Sequence, residues 1–235
     1  MMLTIENLNV SYGVIPVLHD VKLEIEEGEL VALLGANGAG KTTLLNTISG
    51  VMRGTSGTVS FLGNNIENTS PQKIVQAGIS QIPEGRKIFP YLNAKENLFM
   101  GASTRKAWEF RHKMFDEVSE MFPILKERAD QRASLMSGGE QQMLVIARGL
   151  MARPKLLMID EPSLGLSPAF HDLIYEAIEA LTKKGITVLL SEQNAQIALE
   201  ISDRGYVMQD GEVVMEGTSK ELLESDLIKK AYMGV

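Results

Sequence analysis

Cysteine is absent from the 235-residue sequence, and so is any apolar run that approaches the ~18–20 residues of a membrane-spanning helix. Without cysteine there are no disulfide bonds, zinc–thiolate sites or thiol catalysis, and the protein suits a reducing cytosol. The first residues also lack a basic segment followed by an apolar stretch, which is the pattern of a secretory signal. We therefore expect a cytoplasmic protein that reaches a membrane only by docking onto proteins already there.

Positive charge is also scarce, because 23 lysines and arginines face 30 aspartates and glutamates and the formal net charge is −7. A protein that binds nucleic acid over its whole surface is usually basic, so we expect no nucleic-acid partner. The hydrophobic content of 44% and the charged content of 23% are ordinary for a globular protein. The length suits one large domain, or a core with a small subdomain.

The most informative segment is GANGAGKT at residues 35–42, which has the pattern G-x-x-x-x-G-K-T. It lies between an apolar run and residues 43–48, which can open a helix, and this is the context of a phosphate-binding loop. Backbone N–H groups would surround phosphate oxygens, Lys41 would reach the β- and γ-phosphates, and Thr42 would coordinate Mg²⁺. The predicted nucleotide-binding residues here are Gly35, Ala36, Asn37, Gly38, Ala39, Gly40, Lys41, Thr42 and Thr43.

Strand-like segments recur along the chain and are of two kinds. Residues 3–10 and 17–25 alternate apolar and polar side chains, which is typical of antiparallel strands. Asp210-Gly211 lies between two short apolar runs and predicts a hairpin. Continuous apolar runs, which are typical of strands buried on both faces, occupy residues 30–34, 156–159 and 186–190.

Helical patterns alternate with these strands, at residues 92 to about 135, 138–151, 168–184 and from 219 onward. The alternation predicts an α/β fold with a mostly parallel core sheet and an antiparallel β part. We expect a single domain over residues 1–235, in which 1–91 and 136–235 form the core and about 92–135 form an inserted helical subdomain.

One face of the predicted helical insertion is apolar. Its large side chains recur at spacings of three, four and seven residues, which favours core packing over a cofactor site. These side chains are Trp108, Phe115, Val118, Phe122 and Leu125.

Two carboxylates follow the apolar run at residues 156–159. Downstream of a phosphate-binding loop, Asp160 at the end of a buried strand can hold Mg²⁺, directly or through water. Glu161 then lies beside the γ-phosphate, where it can orient and polarise the attacking water. An acidic pair after a strand is often only a solvated strand end, and the phosphate-binding loop gives this pair its chemical meaning.

A Ser-Gly-Gly motif at residues 137–139 begins a predicted helix, and a helix N-terminus favours an anion. With the two preceding motifs, it makes essentially the whole chain resemble the ATPases of the ATP-binding cassette (ABC) family. The resemblance implies an ABC-type P-loop NTPase fold that binds ATP and Mg²⁺ and hydrolyses ATP to ADP and phosphate. It also implies that Ser137, Gly138, Gly139 and Glu140 contact the nucleotide of a second ATPase subunit, in a homodimer or a heterodimer.

The same resemblance assigns roles to residues outside these motifs. Tyr12 matches the aromatic residue that stacks on adenine, although a lone tyrosine beside a strand is also explained by packing. Residues 162–167 match a loop that runs along the dimer interface, with Ser167 where many members have aspartate. Phe89, Tyr91 and Leu92 are candidates to transmit motion to a permease helix, or equally to pack inside the helical subdomain.

Two positions depart from the family pattern. Glu84 lies where the family usually has a glutamine near the metal, since the nearby Gln81 comes three residues too early to match that position. A carboxylate at this position can still bind Mg²⁺. Gln193 takes the place of the usual histidine, and its amide can donate to phosphate but cannot shuttle a proton. We expect Glu161 to act as general base and Gln193 to sense the γ-phosphate, or else a weakened site that relies on a better-equipped partner.

The combination of these motifs is similar to that of the ATPase subunits of branched-chain amino acid importers. That resemblance implies a peripheral ATPase on the cytoplasmic face of the membrane, paired with a second ATPase and two permease subunits, and indirectly with an external solute-binding protein. Urea or amide importers and lipid or polysaccharide exporters are the related alternatives. An ABC nucleotide switch without transport is disfavoured by the single cassette, the acidic composition and the lack of sustained heptads.

Overall fold

The computed structural model describes residues 1–229, which form ten strands and eleven α-helices. The strands are β1 (Leu3–Tyr12), β2 (Ile15–Ile25), β3 (Leu30–Leu34), β4 (Ser56–Phe61), β5 (Asn64–Asn65), β6 (Ile79–Ile82), β7 (Leu156–Asp160), β8 (Thr187–Glu192), β9 (Arg204–Gln209) and β10 (Glu212–Thr218). The helices are α1 (Lys41–Ile48), α2 (Pro71–Ala77), α3 (Ala94–Gly101), α4 (Arg105–Glu109), α5 (Arg111–Met121), α6 (Pro123–Glu127), α7 (Gly138–Leu150), α8 (Pro168–Lys183), α9 (Ala195–Ile201), α10 (Ser219–Glu224) and α11 (Asp226–Ile228). The predicted helical turns after residue 219 and the predicted domain continue to residue 235, and residues 230–235 lie outside the described residues.

The larger sheet has six strands in the order β10-β9-β3-β8-β7-β6. Its pairings β9–β3, β3–β8, β8–β7 and β7–β6 are parallel, and only the hairpin pairing β9–β10 is antiparallel. The expected mostly parallel core sheet is therefore confirmed. Because parallel strands share a direction, the carboxyl ends of β3, β7 and β8 lie at one edge, where ligands bind in such sheets.

Strand β3 shows why the apolar runs are continuous. Successive side chains of a strand point to opposite faces of the sheet. Leu30, Ala32 and Leu34 accordingly join the hydrophobic cluster formed with α7, α8 and the helical segment. Val31 and Leu33 join a second cluster, which lies between this sheet and the smaller one. Both faces of the sheet are covered at β3, so every side chain of this strand is apolar and polar residues do not alternate with them.

The smaller sheet contains β2, β1, β4 and β5 in that order, and all its pairings are antiparallel. It covers the second hydrophobic cluster, to which β1 contributes Leu3 and Ile5 and β4 contributes Phe61. Strands β1 and β2 are longer than the predicted strands, because they continue to a tight turn at Gly13 and Val14. The expected antiparallel part is present.

The helical segment consists of four short helices, α3 to α6, and a 3₁₀ turn at Ala133–Leu135. Four of the five predicted core side chains are buried, namely Phe115, Val118, Phe122 and Leu125. Trp108 is not a core residue, since it is 49% exposed. Its ring packs nearly perpendicular to that of Phe99, and the Arg111 guanidinium lies 4.2 Å from the centroid of the Trp108 ring. A cation–π contact thus replaces the predicted burial.

Two helices, α2 and α9, were not predicted, although their ends carry recognisable signals. Pro71 occupies the first turn of α2 and Gly78 ends it in the left-handed region (φ 112°), which is the usual asymmetry of helix ends. The Asn194 side chain caps α9 by accepting a hydrogen bond from the N–H of Ile197. Both helices have only seven residues, so their apolar periodicity is too brief to identify them.

Candidate active site

The phosphate-binding loop joins the end of β3 to the start of α1. Gly38 and Gly40 adopt left-handed conformations, with φ of 86° and 105°, which glycine adopts without a steric cost. Gly40 is the N-cap of α1, and within residues 1–229 no side chain caps this helix end. The first N–H groups of α1 therefore remain free to bind an anion at the positive end of the helix.

The Lys41 side chain is almost fully buried and turns back across this loop. Its Nζ atom donates to the carbonyl oxygens of Gly35 at 2.6 Å and Ala36 at 3.3 Å. It also forms an ion pair with Glu161 Oε1 at 3.0 Å. These contacts aim the ammonium group at the mouth of the loop, where a phosphate would compete with the Glu161 carboxylate for it.

Thr42 and Asp160 meet at the edge of the sheet, although 118 positions separate them in the sequence. Thr42 Oγ1 donates to Asp160 Oδ2 at 2.7 Å, and Ser191 Oγ donates to Asp160 Oδ1 at 2.7 Å. Mg²⁺ is usually held by one or two such protein oxygens together with phosphate oxygens and water. Within residues 1–229 there is no cluster of three or more histidines or carboxylates for a metal ion. Thr42 Oγ1 and Asp160 Oδ2 are the oxygens that would hold a nucleotide-bound Mg²⁺.

Glu161 follows β7 and adopts a left-handed conformation with φ of 44°. A residue other than glycine in this region costs about 1–3 kcal/mol, and such strain is concentrated at functional sites. Its backbone N–H donates to the carbonyl oxygen of Ser191 at 2.9 Å, which ties β7 to the end of β8. The strained turn aims the Glu161 carboxylate at Lys41 instead of along the strand.

Tyr12 ends β1 beside the phosphate-binding loop. Its ring is 52% exposed, so it is available to stack against a planar ligand. The Tyr12 hydroxyl lies 3.5 Å from Thr43 Oγ1, on α1. The structure thus places the predicted adenine-stacking residue next to the predicted phosphate-binding residues.

Gln193 lies after the end of β8 and is exposed. It lines a cavity of about 600 Å³ together with Ala36 and Glu161. The structure therefore brings the predicted γ-phosphate sensor to the same cavity wall as the predicted general base and part of the phosphate-binding loop.

Glu84 follows β6 and is also exposed, and within residues 1–229 its carboxylate has no hydrogen-bond or ion-pair partner. The preceding glutamine, Gln81, donates instead from its amide to Asn46 Oδ1 on α1 at 3.0 Å. Within the described residues, Glu84 forms no hydrogen bond with Thr42 or Asp160, which bond to each other and to Ser191. Its role at the metal stays a prediction.

The N-terminus of α7 is formed by Ser137, Gly138, Gly139 and Glu140. Within residues 1–229, these residues make no hydrogen bond to the phosphate-binding loop. Ser137 and Glu140 form a capping box, in which Glu140 Oε2 accepts from the Ser137 N–H at 2.7 Å. Glu140 also pairs with Arg128 at 3.2 Å. The Arg86 guanidinium lies over Gly138. This motif is thus built apart from the loop that the same chain offers to phosphate.

Three residues near the site were not predicted. Ser191 lies at the carboxyl end of β8, and the rule that these ends meet at one edge could have identified it. Glu192 and Tyr175 are both buried, and the Tyr175 hydroxyl donates to Glu192 Oε1 at 2.6 Å. A carboxylate two residues after the apolar run at 186–190 is a signal for Glu192, whereas in the sequence Tyr175 cannot be distinguished from a core residue.

The fold and this edge of the sheet define a P-loop nucleotide hydrolase. The ABC transporter family matches residues 18–164 of the chain. The chain therefore belongs to the ABC transporter family and is one of its ATPases. Within residues 1–229, every helix is too short or too polar to cross a membrane.

Curated relatives of this chain serve transport systems. The high-affinity branched-chain amino acid transport ATP-binding protein BraG of Pseudomonas aeruginosa is 46% identical over 99% of this chain and 100% of its own length. The probable branched-chain amino acid transport ATP-binding protein LivF of Archaeoglobus fulgidus is 37% identical over 100% and 99%. The lipopolysaccharide export system ATP-binding protein LptB of Haemophilus influenzae is 34% identical over 99% and 97%.

Solved structures agree with this assignment. The ADP conformation of an ATP-binding cassette of an ABC transporter gives a TM-score of 0.88 at 28% identity, over 100% of this chain and 99% of that one. A dimeric cassette in a post-hydrolysis state, bound to ADP and phosphate, gives a TM-score of 0.82 at 27% identity, over 93% and 99%. The expected ABC-type fold is confirmed.

Proposed function

We propose that this chain hydrolyses ATP to energise an importer of branched-chain amino acids. The observation that carries the proposal is the 46% identity to BraG, which extends over the full length of BraG. LivF, whose name gives the same solute class, is similar over its full length as well. The LptB relatives, named for lipopolysaccharide export, are less similar and define the alternative solute class.

At the nucleotide, each side chain has a distinct role. Tyr12 stacks on the adenine, and the loop from Gly35 to Gly40 holds the phosphates through backbone N–H groups. Lys41 leaves the Glu161 carboxylate and binds the γ-phosphate, since both compete for the same ammonium group. This exchange frees Glu161 to polarise the attacking water when the phosphate is in place. Gln193 donates from its amide to the γ-phosphate.

Thr42 and Asp160 would hold Mg²⁺, since Thr42 Oγ1 and Asp160 Oδ2 lie 2.7 Å apart at the edge of the sheet. When bound there, the ion would neutralise charge that develops on the phosphate oxygens. Ser191 holds the Asp160 carboxylate in place through its hydroxyl. Glu84, after β6, is the further candidate ligand.

The ATPase works as a pair of cassettes. The N-terminus of α7, with Ser137, Gly138, Gly139 and Glu140, contacts the ATP held by the second ATPase subunit. A cassette dimer bound to ADP and phosphate, which resembles this chain in fold, supports this arrangement. Each ATP then lies between two subunits, so that loss of the γ-phosphate removes a contact that favours closure.

The surface that meets the permeases is a groove between α2, β6 and the helical segment, with a volume of about 530 Å³. Val51, Ile74, Phe89, Met100 and Val145 line much of it, so the groove is largely apolar. An amphipathic helix of a permease would bury an apolar face there. The complex comprises two permeases and two ATPases on the cytoplasmic face of the membrane, and an external protein delivers the solute.

The proposal is tested by purifying the full-length chain from its native membranes in gentle detergent and identifying the accompanying proteins by mass spectrometry. We expect two permeases and a second, different cassette. A strain that lacks the gene should then regain uptake of radiolabelled leucine with the wild-type chain and not with Glu161→Gln. Recovery of lipopolysaccharide-transport proteins, or of soluble partners only, would overturn the proposed solute.

A further inference from the structure

Glu192 is a buried carboxylate that the catalytic roles above do not use. Its side chain lies at the end of β8 and is 3% exposed. Oε1 accepts hydrogen bonds from Tyr175 at 2.6 Å and from Ser163 Oγ at 2.9 Å. Oε2 accepts from the backbone N–H of Gln193 at 3.2 Å.

Burial raises the pKa of the Glu192 carboxyl, while the hydrogen bonds from Tyr175 and Ser163 act in the opposite direction. The nearby charge of Glu161 raises the pKa further. An apolar side chain would fill this position without a desolvation cost, but it would give Ser163 and Tyr175 no acceptor. The carboxylate thus connects groups that packing alone would leave apart.

Ser163 lies in the loop that begins with Glu161, the proposed general base, and Tyr175 lies in the helix that follows this loop. The loop runs from Glu161 to Ser167, between β7 and α8, and Tyr175 lies two turns into α8. Within the described residues, the bond from Ser163 to Glu192 is the only side-chain hydrogen bond between residues 162–167 and the core sheet. The Glu192 carboxylate therefore binds both the start of this loop, through Ser163, and the helix that follows it, through Tyr175.

We propose that Glu192 is a positioning residue for ATP hydrolysis. Through its bonds to Ser163 and Tyr175, it holds the loop of Glu161 at a fixed position relative to Gln193. The cavity on whose wall Ala36, Glu161 and Gln193 lie is also lined by Ser163 and Glu192. A base must be held to within about 0.5 Å of its productive position, and a displacement of 1 Å can cost about 100-fold in rate. Glu161 occupies a strained backbone conformation, which persists only where its surroundings fix it.

The test compares Ser163→Ala, Tyr175→Phe, Glu192→Gln and Glu192→Ala in the full-length chain, with the proteins that co-purify from membranes. We expect Ser163→Ala and Tyr175→Phe to lower kcat by about 10- to 100-fold, because the base is misplaced. The KM and the equilibrium affinity for ATP should stay within about twofold, since Lys41 and the phosphate-binding loop keep their contacts. Glu192→Gln, which keeps an acceptor oxygen, should retain more activity than Glu192→Ala.

Tyr206→Phe is the matched control. It also removes a buried hydroxyl that is hydrogen-bonded, here to Arg204 and the backbone of Glu24, in the polar cluster that Arg204 forms with Glu29 before the start of β3. We expect this variant to lose stability without a change in kcat. A kcat of Ser163→Ala and Tyr175→Phe within twofold of wild type would overturn the proposal, and so would an equal loss in Tyr206→Phe. These two variants decide the question even where Glu192→Ala does not fold.

The proposal depends on ATP hydrolysis and not on the transported solute. Leucine uptake is therefore measured beside ATP hydrolysis in the same variants. A wild-type chain that hydrolyses ATP but supports no leucine uptake would overturn the proposed solute, while the kcat comparison would still decide the role of Glu192.

Discussion

At the residue scale, the Lys41 ammonium group and the Glu161 carboxylate are each other's partner in an ion pair beside the phosphate-binding loop. Their ion pair of 3.0 Å is largely buried, so neither charge is solvated well by water. A γ-phosphate is a stronger partner for Lys41 than a carboxylate, because it carries more charge and more acceptor oxygens. In the proposed mechanism, nucleotide binding therefore switches Glu161 from an ion-pair partner to a free base.

Glu161→Gln removes the base while keeping the size of the side chain. We expect ATP hydrolysis to fall by about 100-fold or more, since general-base catalysis contributes about 10²–10⁴-fold. ATP affinity should stay equal or rise, because a negative charge near the γ-phosphate is lost. Phosphate release and equilibrium binding of ATP measure the two effects.

The control for this variant is Glu176→Gln, which changes an exposed carboxylate on α8. Gln193→Ala should reduce hydrolysis less than Glu161→Gln, because an amide senses the phosphate but does not accept a proton. Near-normal hydrolysis in Glu161→Gln, together with its loss in Gln193→Ala, would show that the assigned roles are wrong.

At the element scale, Asn97 on α3 holds the segment that the permease is proposed to contact. It is fully buried, and Nδ2 donates to the carbonyl oxygens of Phe89, Leu92 and Asn93. Oδ1 accepts from the Phe89 N–H at 2.9 Å. One side chain therefore connects α3 to the backbone of Phe89, Leu92 and Asn93, in a loop that has little regular structure of its own.

Asn97→Ala leaves the Phe89 N–H without its acceptor, whereas the carbonyl oxygens of Phe89, Leu92 and Asn93 each keep a backbone N–H donor. We expect a loss of stability of about 1–3 kcal/mol, the desolvation cost of an unsatisfied buried group. Urea denaturation measures this loss, with the exposed Asn64→Ala as the control. ATP affinity should be unchanged at temperatures where both variants are folded, and a reduced affinity would mean that the loop also supports the nucleotide site.

Tyr91→Glu tests the proposed permease contact at a residue two positions from Phe89, which lines the groove. Tyr91 is 85% exposed, so a charge there is tolerated by the isolated chain. We expect co-purification with the permeases to fall by about tenfold or more, because a charge is desolvated in the interface, while ATP binding survives. Val214→Glu, on the exposed face of β10, is the control. Equal recovery of permeases with both variants would place the contact elsewhere.

At the scale of the whole molecule, a polar cluster joins the two sheets at the end opposite the nucleotide. The Arg204 guanidinium pairs with Glu29 and donates to the backbone of Glu24, on β2. It also donates to the Tyr206 hydroxyl at 2.6 Å. Arg204 begins β9 in the larger sheet, so these bonds fix the orientation of the smaller sheet against it.

Arg204→Met breaks this connection and leaves the Glu29 carboxylate without its cation. The pair is partly exposed, so we expect a loss of about 2 kcal/mol rather than the value for a fully buried pair. That corresponds to a Tm lower by about 4–8 °C for a chain of this size. Calorimetry checks the shift, with Arg105→Met, which removes a surface ion pair, as the near-neutral control. Unchanged Tm in Arg204→Met would mean that the sheets are held by apolar packing alone.

The sequence by itself determined the features that are encoded locally. The phosphate-binding loop is a contiguous pattern whose glycines dictate its backbone, and the β9–β10 hairpin follows from Asp210-Gly211 for the same reason. The buried strands were recognisable because both faces of the sheet are covered, which leaves no polar alternation. These features identified the fold class and named most residues of the candidate site.

Only the tertiary structure decided what depends on contacts between distant segments. It brought Thr42 to Asp160, paired Lys41 with Glu161 and joined Ser163 to Glu192. It also left Trp108 half exposed under a guanidinium, where helical periodicity predicted burial. Local pattern fixes the conformation of a segment, but the partner of a polar side chain follows from the register of strands that lie far apart in the chain.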